Sequence, residues 1–336
     1  MEPAWKNIST VTQPVNEWRA LTLRNGEVRP TNFDRLIKDW KQARFELVCQ
    51  PGDYSFINPL RLNSLGDVIY LKWKRQQFAV IAATLAIAAS PFFLGDAIKD
   101  AMHLSLGILT LSIFLCAMYF STPNAEALAE RVEYIHALTV DGKKYVWFCA
   151  IMAIASFIAS QFIFGSFDSA AYSYGAIVSI VDHGGWWRVV TGSFIHFGIP
   201  HWVLNNVMLI LVFPIAARVS VVGAMGVFLA GAIFSELAYV LLGILGWQSG
   251  EILVGYSGGL YALLSFLIID SIVNRESYPT RFFVMLMAFS FMGIVGAKVI
   301  NPHSSLIAHI SGLLFGALIY FARTAIPARS VRQKSS

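Results

Sequence analysis

Long apolar blocks constrain this chain more than any other feature of its sequence. Each block holds about 17–25 residues, and about 20 apolar residues cross a bilayer as one helix. The blocks lie near 77–97, 102–121, 145–165, 201–217, 221–246, 255–273, 282–299 and 304–322. The pattern predicts an all-α polytopic membrane protein with eight transmembrane helices.

The composition agrees with a bilayer environment. Apolar residues make up 56% of the 336 residues and charged residues only 13%, against about 45–50% and about 25% in soluble domains. We therefore expect contact with a lipid bilayer, and we exclude a disordered chain and a nucleic-acid-binding module. The three cysteines, Cys49, Cys116 and Cys149, are too scattered for a disulfide framework or a thiolate metal site.

The basic residues predict the orientation of these spans. Of the 25 lysines and arginines, 22 fall in the N-terminal region, the C-terminal tail and alternate connections between the blocks. The positive-inside rule then places both termini in the cytoplasm. The net charge of +5 is explained by this asymmetry. The sequence predicts a multi-pass protein of a plasma membrane or a bacterial inner membrane.

The same map divides the chain into five segments. In the cytosolic N-terminal segment, the apolar spacing of 33–47 predicts a helix, and no catalytic motif is visible there. The predicted segments are a cytosolic N-terminal segment (1–76), a transmembrane hairpin (77–121), a cytosolic linker (122–144), a six-helix core (145–323) and a cytosolic tail (324–336).

A serine stands among glycines where an outer loop enters a span. Ser257 has Gly255, Gly258 and Gly259 around it. Glycines allow unusual backbone angles, and a serine at a tight loop-to-helix junction can present its hydroxyl beside backbone amides. The alternative is a packing surface, because small residues are common where membrane helices meet.

A histidine lies near the start of the last block. His309 is followed by Gly312 and Gly316, which form a G-x-x-x-G pattern that lets a neighbouring helix approach. An ionisable residue inside a bilayer is a functional candidate by default. The alternative is a neutral histidine bonded to a carbonyl of another helix.

Two polar residues share one face at the start of the block near 201. His201 and Asn205 are four positions apart, so both point to one side of a helix and could stabilise a developing negative charge. The alternative is a helix N-terminus that finds partners for its own amides. Asn206 lies one step off this face and is the weaker candidate.

Topology brings these residues to one depth. The helices that begin near 201, 255 and 304 all run from outside to inside, so His201, Ser257 and His309 lie near their outer ends. No acid obviously completes a triad, although Asp182 and Glu251 in outer loops stay open. We interpret the serine and histidine as a catalytic dyad.

In order and placement, these motifs resemble the rhomboid family of intramembrane serine proteases over 145–323. Each motif is weak alone, and the combination is specific. The matching residues are Gly255, Ser257 and Gly258 around the serine, His309, Gly312 and Gly316 in the last block, His201 and Asn205, and Trp187 and Arg188 in the long first loop.

The resemblance implies a function and roles for the site residues. Ser257 would attack a peptide carbonyl of a transmembrane substrate, and His309 would act as general base and then general acid. His201, Asn205 and the Ser257 amide would form the oxyanion hole, and Tyr261 would pack on the histidine. The glycines Gly312 and Gly316 would let two core helices approach closely, and no cofactor is expected.

Other readings remain open. The chain has seven histidines, but their spacing does not favour a metal site, and His196 and His303 are expected at loop edges, solvated or hydrogen-bonded. A rhomboid-like protein that binds clients without cleaving them is one alternative. A transporter with a polar path marked by Glu236 and Asp270 is another.

Overall fold

A computed structural model describes residues 15–22, 27–40, 46–90, 99–163, 165–300 and 304–325. The described chain forms two compact units. The first comprises Met1–Lys143 and Arg275–Met292, and the second comprises Lys144–Asn274 and Gly293–Ser336.

The first unit contains a small antiparallel sheet that the sequence did not indicate. Its order is β2-β1-β3, with β1 at Arg19–Thr22, β2 at Glu27–Pro30 and β3 at Glu46–Cys49. The helix predicted over 33–47 is therefore wrong at its end, since α1 covers only Phe33–Asp39. Pairing of β3 with β1 buries three of the four β3 residues, and this non-local burial outweighs the local apolar spacing.

Three helices lie wholly or partly in the N-terminal part of this unit. They are α2 at Asn63–Ala89, α3 at Lys99–Phe120 and the first part of α4, Ala125–Ile158. The unit also includes Arg275–Met292. The chain turns by 116° between Ser105–Phe120 and Ala125–Val140.

A polar network ties the start of α2 to α4 within this unit. The Arg61 guanidinium donates two hydrogen bonds of 2.8 Å to the Glu133 carboxylate, and Asn58 donates a third of 2.9 Å. The bonds to Glu133 raise the pKa of Arg61 above its usual value. Glu126 pairs with the same arginine. Paired in this way, Glu133 can be buried on α4 at little cost.

The second unit is a helical core with short helices and a two-stranded ladder at one end. Within it, α10 makes its most extensive contacts with α12 and α9, and further contacts with α8. After the end of α4, the elements are α5 at Phe167–Tyr174, β4 at Ala176–Ile177, α6 at Val178–Asp182, α7 at Arg188–Gly192, α8 at Gly198–Val219, α9 at Val221–Ile244, β5 at Ile252–Leu253, α10 at Ser257–Val273, α11 at Phe282–Ile300 and α12 at Leu306–Ala325. Of α11, only the part from Gly293 onward belongs to this unit.

Helix length and hydropathy support a multi-pass membrane protein. Among the described residues, Gly198–Val219, Val221–Ile244 and Leu306–Thr324 are long and apolar enough to cross a bilayer, and the bent pair of α3 and α4 counts as one more if it forms a broken span. Three shorter apolar helices, at Tyr145–Gln161, Ser257–Val273 and Phe282–Lys298, complete the six predicted core blocks. The predicted fold class is confirmed. The first block, 77–97, runs past the described residues, and α2 begins well before it.

Candidate active site

The turn before Ser257 requires glycine. Ser257 is the first residue of α10, and Gly255 just before it has a φ of 106°, a backbone conformation that other residues rarely adopt. A Cβ at Gly255 would lie 2.9 Å from His201 Cε1 and 3.2 Å from Asn205 Nδ2. The amide of Gly255 donates to the Gly192 carbonyl at 2.9 Å. The turn is therefore held directly against α8.

Ser257 and His309 are within hydrogen-bond distance. The Nε2 atom of His309 lies 3.1 Å from the Ser257 Oγ atom, and the two residues are only 3% and 8% exposed. His309 is in the first turn of α12, where its amide donates to the Ser305 carbonyl. A histidine at this distance can accept the proton of a serine hydroxyl, which is the arrangement of an activated nucleophile.

Glycines set the spacing of the helices that carry this pair. A Cβ at Gly312 or at Gly316 on α12 would collide with a backbone carbonyl oxygen of α10, at Gly258 and Ala262 respectively. A Cβ at Gly258 would collide with the Ser235 side chain of α9. The backbone of α10 is thus in direct contact with α9 and α12. At this close spacing, the side chains of Ser257 on α10 and His309 on α12 can reach each other.

His201 and Asn205 present two donors beside Gly255. The Phe197 amide donates to His201 Nδ1 at 3.4 Å, which assigns the ring proton to Nε2 and makes that atom a donor. Asn205 is 2% exposed, and its Nδ2 atom has no hydrogen-bond acceptor among the described residues. A buried amide without an acceptor is costly in a folded protein, so it is typical of a site that binds a ligand atom.

Tyr261 packs on the histidine ring. It lies one turn after Ser257 on α10, and its ring centroid is 4.4 Å from that of His309. The ring is 1% exposed, and its hydroxyl has no partner within the described part of the chain. Tyr261 therefore restricts the imidazole by contact and not by a hydrogen bond.

Trp187 and Arg188 brace the long first loop. Arg188 donates to the backbone carbonyls of Tyr172 at 3.1 Å and Gly175 at 3.2 Å, and its guanidinium lies 5.0 Å from the Trp187 ring. Trp187 itself is half exposed and contacts the ring of Tyr174. The structure places both residues in the loop, where they hold its backbone.

A buried hydrogen bond that the sequence does not predict lies next to Ser257. Tyr256 is fully buried, and its hydroxyl donates to Asn206 Oδ1 at 2.7 Å. Asn206 in turn donates to the Trp202 carbonyl at 2.8 Å. Asn206, set aside because it lies one step off the face of Asn205, thus links the residue before Ser257 to α8. No local signal in the sequence pairs these two residues.

His196 is expected at a loop edge, solvated or hydrogen-bonded, and the expectation of solvation is wrong. His196 is fully buried, with its ring centroid 5.2 Å from that of His201 and 4.7 Å from that of Tyr256. It packs behind the donor pair, and its apolar neighbours Ile195 and Phe197 are the only sequence hint of this burial. His303, expected in a similar position, lies outside the described residues.

Carboxylates are not bonded to the histidine in the described structure. Glu236 on α9 is fully buried, and both of its oxygens lack partners among the described residues. The outer-loop candidates Asp182 and Glu251 are exposed. Within the described ranges, the hydrogen-bond partner of the His309 ring is Ser257. No group of three potential metal ligands occurs in those ranges either.

A large cavity opens beside the site. It has a volume of about 1000 Å³, and its wall includes Phe197 and Gly198 before His201, and Ser305 and Leu306 before His309. Asp168, Glu251 and Lys298 add charges to the wall. Water and an extended peptide can both be accommodated in a cavity of this size.

Comparison with known proteins supports the resemblance found in the sequence. Residues 183–325 match the family model described as Rhomboid domain, so the predicted resemblance to the rhomboid family is confirmed. Rhomboid-related protein 3 of Homo sapiens is 29% identical over 149 residues, which are 39% of this chain and 34% of that protein. The putative rhomboid protease YdcA of Bacillus subtilis is 26% identical over 156 residues, 42% of this chain and 69% of that protein.

A plant relative gives a similar match. RHOMBOID-like protein 9, chloroplastic, of Arabidopsis thaliana is 27% identical over 159 residues. These residues are 43% of this chain and 33% of the plant protein, so the chain spans only about a third of the length of its human and plant relatives.

Two buried tyrosines of the site allow a matched test of stability. We expect Tyr256→Phe to lower the free energy of unfolding by about 1–3 kcal/mol, because it leaves Asn206 Oδ1 buried without its donor. Tyr261→Phe removes a hydroxyl that has no partner among the described residues, so stability should be unchanged or slightly higher. Denaturant unfolding of both variants in one detergent measures the difference. Equal losses would contradict the assigned hydrogen bond.

Proposed function

We propose that this protein is an intramembrane serine endopeptidase that cleaves transmembrane segments of membrane proteins with a Ser257–His309 dyad. The observation that carries the proposal is the 3.1 Å distance between His309 Nε2 and Ser257 Oγ in a buried site. His309 takes the hydroxyl proton as Ser257 attacks the peptide carbonyl, and then gives that proton to the leaving amine. Water hydrolyses the resulting acyl-enzyme by the same proton transfers in reverse order.

Three donors are available to stabilise the oxyanion of this reaction. They are the Ser257 amide, the Nε2–H group of His201 and the Nδ2–H group of Asn205. The first amides of a helix have no partner within that helix, so the Ser257 amide is free to point at a negative charge. The unpartnered Asn205 amide supports the same role, because a donor fixed in advance needs no reorganisation when charge develops.

Access to the site is proposed from the outer face of the membrane. With both termini in the cytoplasm, as the charge asymmetry predicts, α8, α10 and α12 start at the outer side. The cavity of about 1000 Å³ supplies water at that side. A substrate helix must unwind locally there, because nucleophilic attack needs an accessible peptide carbonyl. Gating by the segment 282–303 is implied by the family resemblance.

A non-catalytic client-binding protein is the second candidate. The relatives' names include both a putative protease and rhomboid-like proteins, and the match is distant. The complete set of serine, histidine and donors favours the protease. A transporter is less well supported, since the Asp270 carboxylate already accepts a hydrogen bond from Asn274 Nδ2 at 2.7 Å.

Loss of either member of the dyad should abolish cleavage. We expect Ser257→Ala and His309→Ala to reduce the rate at least about 10³-fold on a single-span substrate in the same bilayer. Ser265→Ala is the matched control, because Ser265 lies on the same helix and is also 8% exposed. Gel analysis of substrate and fragments measures the rates.

Two results would contradict the proposed function. Cleavage by Ser257→Ala at the wild-type rate would remove the serine from the mechanism. Wild-type protein that binds the substrate without cutting it would favour the client-binding alternative.

The oxyanion role of Asn205 has a separate kinetic signature. We expect Asn205→Ala to lower kcat by about 10²–10³-fold with little change in KM, because the lost hydrogen bond forms mainly in the transition state. Kinetics at varied substrate fraction in the bilayer separate the two constants, and thermal unfolding verifies that the variant is folded. An unchanged kcat in the folded variant removes Asn205 from the oxyanion hole and leaves the dyad intact.

A further inference from the structure

A second cavity lies at the end of the core away from the dyad. It has a volume of about 320 Å³ and lies among the end of α8, the start of α9, the middle of α10 and the end of α12. On α12, its residue Arg323 follows His309 by about four helical turns, roughly 20 Å along the axis. The cavity is therefore separate from the catalytic site.

The walls of this cavity are almost entirely apolar. Small residues of α8 and α9 open the space, and larger side chains of α10 and α12 close it. The apolar and small wall residues are Ala216, Val219, Ser220, Gly223, Ala224, Gly226, Val227, Leu263, Phe266 and Ile319. The volume and the lining are those of a small-molecule site.

Two arginines lie at or next to the same cavity. Arg323 is the one charged residue in the wall, and its guanidinium lies 5.9 Å from the centre of the Phe266 ring. Arg218 lies in the last turn of α8, directly before the wall residue Val219.

We propose that this cavity binds one anionic glycerophospholipid, with an acyl chain in the apolar space and the phosphate headgroup at Arg323. Basic pockets between membrane helices on the cytoplasmic side bind phosphorylated headgroups, and guanidinium groups pair with phosphate through two hydrogen bonds. The charge asymmetry of the sequence predicts that this end of the core faces the cytoplasmic leaflet, where anionic lipids are common. The proposed lipid site does not depend on the proposed proteolytic activity.

A glycine offers a way to fill the cavity without disturbing the helices. Gly226 lies in the cavity wall and a Cβ there meets no atom within 4 Å, so Gly226→Leu adds a side chain at the wall without a collision at its Cβ and improves the helix propensity of α9. The matched control is Gly296→Leu on α11, where a Cβ also meets nothing within 4 Å and which does not line the cavity.

The headgroup contact has its own variant. Arg323→Gln removes the charge of the cavity wall, and Arg275→Gln removes an exposed charge that lies outside that wall. The full-length protein and the four variants are reconstituted in bilayers of phosphatidylglycerol and phosphatidylcholine, extracted in mild detergent and analysed by native mass spectrometry for retained lipid.

Each variant has its own expected lipid retention. Wild type, Gly296→Leu and Arg275→Gln should retain one phosphatidylglycerol in preference to phosphatidylcholine. In Arg323→Gln, the preference for phosphatidylglycerol over phosphatidylcholine should fall about fivefold. Gly226→Leu should retain less of both lipids. An unchanged preference in Arg323→Gln, or unchanged retention in Gly226→Leu, overturns the proposal.

Discussion

Direct backbone contact between α10 and its neighbours is the constraint on which the site depends. Gly312 and Gly316 let α12 approach the backbone of α10, and Gly258 does the same for α9. At that spacing a serine and a histidine can meet at 3.1 Å. Any side chain at these positions overpacks the interface at a cost of about 1–3 kcal/mol and moves Ser257 Oγ and His309 Nε2 apart. Helix packing and chemistry are therefore set by the same residues.

Much of this arrangement could be predicted from local patterns. Helical blocks follow from hydrophobic length, and the sorting of lysine and arginine gives each helix a direction. Because their three helices run in the same predicted direction, Ser257, His309 and His201 are expected at one depth in the membrane. The small-residue pattern at Gly312 and Gly316 then indicates which helices touch, since membrane helices approach through such positions.

Other features depend on contacts that are distant in sequence. Strand β3 forms because Glu46–Cys49 pairs with Arg19–Thr22, although the spacing of 33–47 is helical. His196 is buried by packing against His201 and Tyr256, which a loop position does not reveal. The hydrogen bond from Tyr256 to Asn206 joins residues 50 positions apart. Sequence periodicity indicates which residues share a face of one helix. It does not indicate which residue of another segment that face contacts.

Covalent labelling of the serine tests the central claim most directly. A fluorophosphonate reacts with a serine only when a base activates the hydroxyl in a site that stabilises the oxyanion. Mass spectrometry of the labelled full-length protein should find one adduct, on Ser257, and almost none in His309→Ala. An adduct on another serine, or equal labelling of Ser257 in His309→Ala, would contradict the dyad.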